Sequence, residues 1–491
     1  MKKFSRITSM LLALIMVIGM LASCNNDPGT TETPGTTGGN TPDTTVGPAE
    51  EEKILPNLPE VRYDGYEYRI RVKGEATHWE TLGIFAEQKT GDPINDSTLE
   101  RNNAIEAKYG VTISTIEGSG IPNSVNQAVL SQVDEFDLAI LPVNSIGSVA
   151  PKSVYDLKQL QHLDLEKPWY DQNFNKEVSI GGRLYATTGD LVLNDDNGTW
   201  CVLFNKRIAE DLALENLYQL VFDGKWTLDK AYELAKLGTK EENGDNIMNY
   251  EDIWGFVTEQ YNAYAMVAST GEKIASKDAN DMPILTASSE KFQDVFAKAV
   301  TILGDNSVVG LTQDWSGDAN YVNPFKQGRG LFVMAGLYDL DEVREIDDEI
   351  GVLTMPKYEE AQEVAYSPIT VYNFTTCCIP ITVSDVERTS ILTEAIFAES
   401  RYTTRVAFYE TTLKKKYSPD EESKMVLDKV IENRTYDLGA IYAWGGVVDR
   451  LNTLMKNRSV NFASAWKSLE RVATSAMNKT IKDFQKAENV G

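Results

Sequence analysis

The sequence predicts an α/β protein of two lobes joined by crossover strands, followed by a helical C-terminal region. Three observations carry this reading. Strand and helix patterns alternate from Tyr68 to Leu141, the alternation resumes after Gly182 as if the chain crossed between two lobes, and helical patterns dominate from Ser384 onward. Tyr68-Arg69-Ile70-Arg71-Val72 alternates as a half-buried strand does. Ser97-Thr98-Leu99-Glu100 reads as a capping box opening a helix that runs through Ile105 and Tyr109 and stops at Gly110. Val111 to Ile116 is β-branched and reads as the second strand, Asn123 to Val133 as a second helix, and Phe136 to Leu141 as a buried third strand before Pro142. Strands separated by helices of this length imply a parallel sheet, whose ligand crevice lies beyond the carboxyl ends of its strands.

Further along, Gly182 to Ala186 and Trp200 to Phe204 read as strands bracketing the loop Asn194-Asp195-Asp196-Asn197-Gly198. A helical pattern begins at Ile208, and Thr227 is placed to cap the helix after Trp226. Gly328 to Met334 reads as a strand returning to the first lobe, and Ile369 to Ile381 as one crossing away. This gives a first lobe of residues 59–190 and 335–368 and a second of 191–334 and 369–491.

The chain begins with Lys2, Lys3 and Arg6, an apolar stretch from Met10 to Ala22, and Leu21-Ala22-Ser23-Cys24. That is the plan of a secretory leader, residues 1–23, too short to span a bilayer. Its cleavage site resembles the bacterial lipobox, which implies acylation of Cys24 and a protein held on the outer face of the cell membrane. One acyl chain anchors only marginally, whereas a diacylglyceryl group provides two. Residues 24–58 form the expected tether: Thr, Gly, Pro and acidic residues dominate as far as Glu52, too few apolar groups to order the chain. Such a linker spans on the order of 30 Å.

The formal net charge is -26, and loss of Lys2, Lys3 and Arg6 with the leader makes it three units more negative. No basic stripe is visible, which argues against nucleic acid as a partner. With two histidines, four cysteines, and no Cys-x-x-Cys or His-Glu-x-x-His, no metal site or other cofactor is expected. Cys201 and the adjacent Cys377 and Cys378 read as small buried thiols in strands.

The order of segments resembles the family 1 extracellular solute-binding proteins of bacterial ABC importers, the maltose-binding-protein-like class. The resemblance is carried by Glu100 to Val111, by Tyr155-Asp156-Leu157 with Leu163-Asp164-Leu165, and by Tyr185 with Gly189-Asp190. It continues in Phe204-Asn205-Lys206, Trp226-Thr227, Gly328 to Phe332 and Gly351 to Lys357. The segment from Tyr402 to Asn489 exceeds what compact members need. The resemblance implies a two-lobed periplasmic-binding-protein-like fold closing by a hinge on a solute, delivery to a membrane permease, and no catalysis. Saccharides are the commonest ligands of that family.

A sugar site needs flat aromatic faces and planar hydrogen-bonding groups on rigid elements. By position the candidates are Trp79 after the first strand, Asp190, Trp200 at the first crossover, Tyr264, Tyr338, and Trp444 beside Gly445 and Gly446. A core role explains each aromatic equally well, and Tyr261 and Tyr264 more so. The acidic pairs Asp195-Asp196 and Asp347-Asp348 leave open a cell-surface glycoside hydrolase, and a third reading is a surface sensor or adhesin. Asp339 to Asp348 reads as a solvated acidic face.

Overall fold

The structure, a computed structural model, describes residues 53–74, 80–315, 320–343, 346–417 and 420–487. The leader, Cys24, most of the tether and Trp79 lie outside the described residues.

Strand β1 (Tyr66–Val72) leads through helix α1 (Pro93–Tyr109) to β2 (Val111–Glu117), and α2 (Ile121–Ser131) leads to β3 (Leu138–Pro142). Both β2 and β3 lie parallel to β1, as the alternation predicts. Helix α1 begins one turn before the expected Ser97. Asp92 accepts from the amides of Ile94 and Asn95, and Pro93 gives up a donor the first turn could not have paired. Gly110 then ends the helix at φ 71°, the left-handed backbone expected there.

The chain next crosses to β4 (Trp200–Asn205), α3 (Leu228–Leu237), β5 (Trp254–Thr258) and α4 (Asn262–Ser269). After a hairpin, β6 (Ala275–Lys277) and β7 (Pro283–Leu285), come α5 (Glu290–Leu303), β8 (Val309–Leu311), β9 (Gly330–Gly336) and β10 (Ile350–Leu353). Thr227 caps α3 by accepting from the Lys230 amide, as read from sequence. The short β11 (Ser367–Pro368) precedes β12 (Thr375–Cys378). Helix α6 (Val386–Tyr402), α7 (Glu421–Glu432), β13 (Arg434–Thr435), α8 (Val447–Lys456) and α9 (Phe462–Lys486) complete the described chain.

Two larger sheets result, ordered β12-β3-β1-β2 and β10-β4-β9-β5-β8, beside the two-stranded pairs β11-β13 and β6-β7. This corrects the expected lobe boundaries. β9 does not return to the first lobe: it is the central strand of the second sheet, buried throughout, with β4 antiparallel on one side and β5 parallel on the other. β10, expected in the first lobe, pairs with β4, and Gly351 is required there because a Cβ would stand 2.0 Å from the Phe204 ring. β12, expected in the second lobe, pairs with β3 in the first sheet. The chain therefore crosses over 190–199 and back over 369–374. Two further local readings differ. Gly182 to Ala186 carries no strand beyond an isolated bridge at Arg183, and Asn194–Asn197 is a helical turn.

The C-terminal region is helical as expected. Phe462 at the start of α9 packs on Phe292 and Phe296 of α5, with ring centroids 5.2 and 5.6 Å apart. At its other end the Phe484 carbonyl accepts from the Arg183 guanidinium at 2.6 Å, so α9 touches both lobes. Cys201, Cys377 and Cys378 are free, buried thiols in β4 and β12.

Candidate ligand site at the ends of the second sheet

β5, β8 and β9 run parallel, so their carboxyl ends share one edge, and antiparallel β4 puts its first residue, Trp200, opposite Gly336 at that edge. The residues just beyond are Glu259-Gln260-Tyr261 after β5, Thr312 after β8, and Leu337-Tyr338-Asp339 after β9. They form an aromatic cluster. Trp200 stacks between Tyr261 and Tyr321, centroids 5.8 and 6.4 Å away, and Tyr372 from the return crossover meets Tyr261 edge-on at 5.5 Å. The Tyr338 ring crosses Gly336 so closely that a Cβ there would lie 2.3 Å from it. That crossover also receives the end of the first sheet, because the amide of Val143, just after β3, donates to the Phe374 carbonyl at 2.9 Å. The cluster thus occupies the position where open α/β sheets bind ligands, beyond the strand ends and where the two sheets meet.

Its polar groups are under-satisfied. The Trp200 Nε1, Gln260 Oε1, Asn262 Oδ1 and Thr312 Oγ1 atoms are buried without a hydrogen-bond partner. Buried polar groups in folded proteins are nearly always paired, so these four are candidates to bond a ligand. Asp339 is buried, accepts from the Tyr321 hydroxyl at 2.6 Å and from the Gly336 amide at 2.9 Å, and is pushed up to about 8 by burial. Glu259 is pushed up to about 7 by burial alone.

Of the residues expected in the site, Trp200 and Tyr338 are in this cluster. Both faces of Trp200 are covered by tyrosines and it is 1% exposed, so it is the scaffold and not the platform. Tyr264 stands behind, its ring edge-on to Tyr261 at 5.7 Å and its hydroxyl donating to Asp437. Two expectations are corrected. Asp190 belongs to an ion network, 3.3 Å from Arg401 and 3.4 Å from Arg405. Trp444 is a core side chain, 2% exposed, stacked on Tyr442 and donating to Thr480 Oγ1 at 3.0 Å. Its glycines serve the chain turn: Gly445 sits at φ 72° against Ala473. Sequence reasoning missed Glu259, Tyr321, Asp339 and Tyr372. Asp339 is no solvated face, and the signal that would have found it and Glu259 is position, one to three residues beyond a buried strand.

The paired acids are committed elsewhere. Arg434 lies 2.7 Å from Asp171, 2.8 Å from Asp196 and 3.4 Å from Asp195, and Arg405 also pairs with Asp196. Asp190 is held up to about 6, burial outweighing its two arginines. These side chains line a polar cavity of about 140 Å³ beside the first crossover. Asp348 is bound by Arg207 and Asn205 at 2.7 Å each. Among the described residues no group of His, Cys, Asp and Glu is arranged to hold a metal.

No family model and no curated protein matches the sequence. Solved structures do match, along nearly their whole length. A cyclo/maltodextrin-binding protein complexed with maltotetraose is 13% identical, with 86% of this chain and 96% of that one covered and a TM-score of 0.56. An ABC transporter solute-binding protein of Thermotoga lettingae bound with α-D-tagatose is 13% identical over 85% and 100%, TM-score 0.51. The maltose/maltodextrin-binding domain from Bdellovibrio bacteriovorus bound to maltotriose is 14% identical over 85% and 98%, TM-score 0.50. The fold is therefore that of the two-lobed solute-binding proteins.

Proposed function

We propose that this protein captures a carbohydrate outside the cell for an ABC-type importer, tethered to the membrane through acylated Cys24. The observation that carries the reading is the aromatic cluster with orphaned polar atoms at the carboxyl ends of β5, β8 and β9. A sugar presents C–H faces to rings and hydroxyls to amide, hydroxyl and carboxylate groups, and this edge supplies both kinds. Relatives in fold that hold maltotetraose, maltotriose and tagatose support the class by analogy. Capture without catalysis fits the acidic pairs, since Asp195 and Asp196 are held by Arg434 and Asp348 by Arg207. The leader and lipobox favour an extracytoplasmic location and a permease as the receiving partner.

A thermal-shift screen of the purified body against mono- and oligosaccharides tests this. A cognate sugar at 100 times its Kd adds about 2.7 kcal/mol of stability. Absence of any shift across the panel would refute capture, and release of reducing sugar from a polysaccharide would establish a hydrolase instead.

A further inference from the structure

Charge in the cluster is one-sided. The carboxylate of Glu259, half-buried at the end of β5, makes no hydrogen bond or ion pair among the described residues; its backbone carbonyl accepts from the Asn262 amide at 3.1 Å. The leading electrostatic influences on Asp339, Tyr321 and Tyr338 are Glu259, Asp339, Glu342 and each other, with no lysine or arginine among them. This contrasts with the ion network beside the first crossover, where every carboxylate faces a guanidinium. A carboxylate withdrawn from water without a partner is costly, and folded chains keep such groups when something else supplies the compensation. Tyr261 and Tyr338 lie close enough to feel the charge of Glu259, Tyr372 meets Tyr261 edge-on, and ring faces attract cations. The excess of 73 acidic over 47 basic side chains adds a field that draws cations and repels anions.

We infer that the ligand presents a protonated amino group to Glu259, so that the site prefers amino saccharides over their N-acylated, neutral and uronic-acid counterparts. This rests on reading the cluster as the ligand site. Glu259 is the specificity-determining residue, compensating the ammonium, while the tyrosine rings pack on its flanks and on the sugar. A uronate meets two carboxylates and no cation.

The experiment is calorimetric titration at pH 7 of the full mature chain with glucosamine and galactosamine and their oligosaccharides, their N-acetylated forms, the corresponding neutral sugars and uronates. Tetramethylammonium is included as a sugar-free cation. The expected result is binding of an amino saccharide at least tenfold tighter than its N-acetylated form. In Glu259→Gln that preference falls below threefold, without loss of melting temperature in the absence of ligand. Equal or tighter binding of the neutral or N-acetylated sugar overturns the inference and leaves carbohydrate capture standing. An undiminished preference in Glu259→Gln also overturns it. Glu259-dependent binding of tetramethylammonium with no sugar bound keeps the cation preference and overturns the carbohydrate reading. Silence from every probe overturns both.

Discussion

Arg434 offers the sharpest test of how the first crossover is held. It reaches Asp171 on one side and Asp195 and Asp196 on the other, and its own side chain is 10% exposed. Replacing it with methionine keeps most of the volume and removes the charge. Asp195 would keep the Thr188 hydroxyl at 3.2 Å, the Asp196 amide at 2.7 Å and the more distant attraction of Arg405, and Asp171 would keep the Tyr436 hydroxyl at 2.7 Å and the Phe174 amide at 2.8 Å. Removing one partner from a buried ion pair costs about 3–5 kcal/mol, because the remaining charge stays uncompensated. Unfolding entropy is about 2.1 cal/mol/K per residue, or about 0.9 kcal/mol/K for the unit Leu55–Gly491. Arg434→Met should therefore lower Tm by about 3–5 °C at pH 8. Scanning calorimetry at pH 8 and pH 5 is the assay. The deficit should shrink at pH 5, where Asp195, held by burial well above the ordinary carboxylate range, takes up its proton. An equal deficit at both pH values, or none, would refute the assignment of the loss to uncompensated charge.

Stability should rise on mild acidification. Glu259 and Glu394 are raised to about 7, Asp190 to about 6 and Asp339 to about 8, all from a carboxylate range near 4, chiefly by burial. A raised folded value contributes stability that is present below the unfolded pKa and lost as pH climbs through the folded one, so Tm at pH 5.5 should exceed Tm at pH 8. A flat or inverted profile over that window would contradict these burials. Below about pH 4 the trend should reverse, since Asp134, Asp281 and Asp420 are depressed by their hydrogen-bonding and basic partners. Trp444→Ala should destabilise the fold by about 3–5 kcal/mol and leave affinity of the folded protein unchanged; a tenfold affinity loss at unchanged Tm would return Trp444 to the site. Cys24→Ser should abolish labelling by a fatty-acid probe and membrane partitioning, and label retained in that variant would exclude acylation at Cys24.

What the sequence disclosed was local. The β1-α1-β2-α2-β3 alternation and the Thr227 cap depend on neighbours a few residues away and were readable. Sheet membership was not, because β10 and β4 pair across well over a hundred residues and an apolar run such as Gly330–Gly336 fits any buried sheet. The site divides the same way. Trp200 and Tyr338 have their place at strand ends, which a sequence can show, but Asp190 finds its arginines 211 residues and more along the chain, a partnership no spacing announces. Trp444 misled because a glycine pair signals either ligand approach or a left-handed turn, and only packing against Ala473 distinguishes them.

Helix α9 bears on how such a molecule moves. Its 25 residues make a rod about 37 Å long, fixed by Phe462 to α5 at one end and by Arg183 to the first lobe at the other. A rod pinned at both ends sets a distance. Rocking of one lobe on the other would leave that distance unchanged, whereas drawing them apart along the rod would have to break the Arg183 contact or the Phe462 packing.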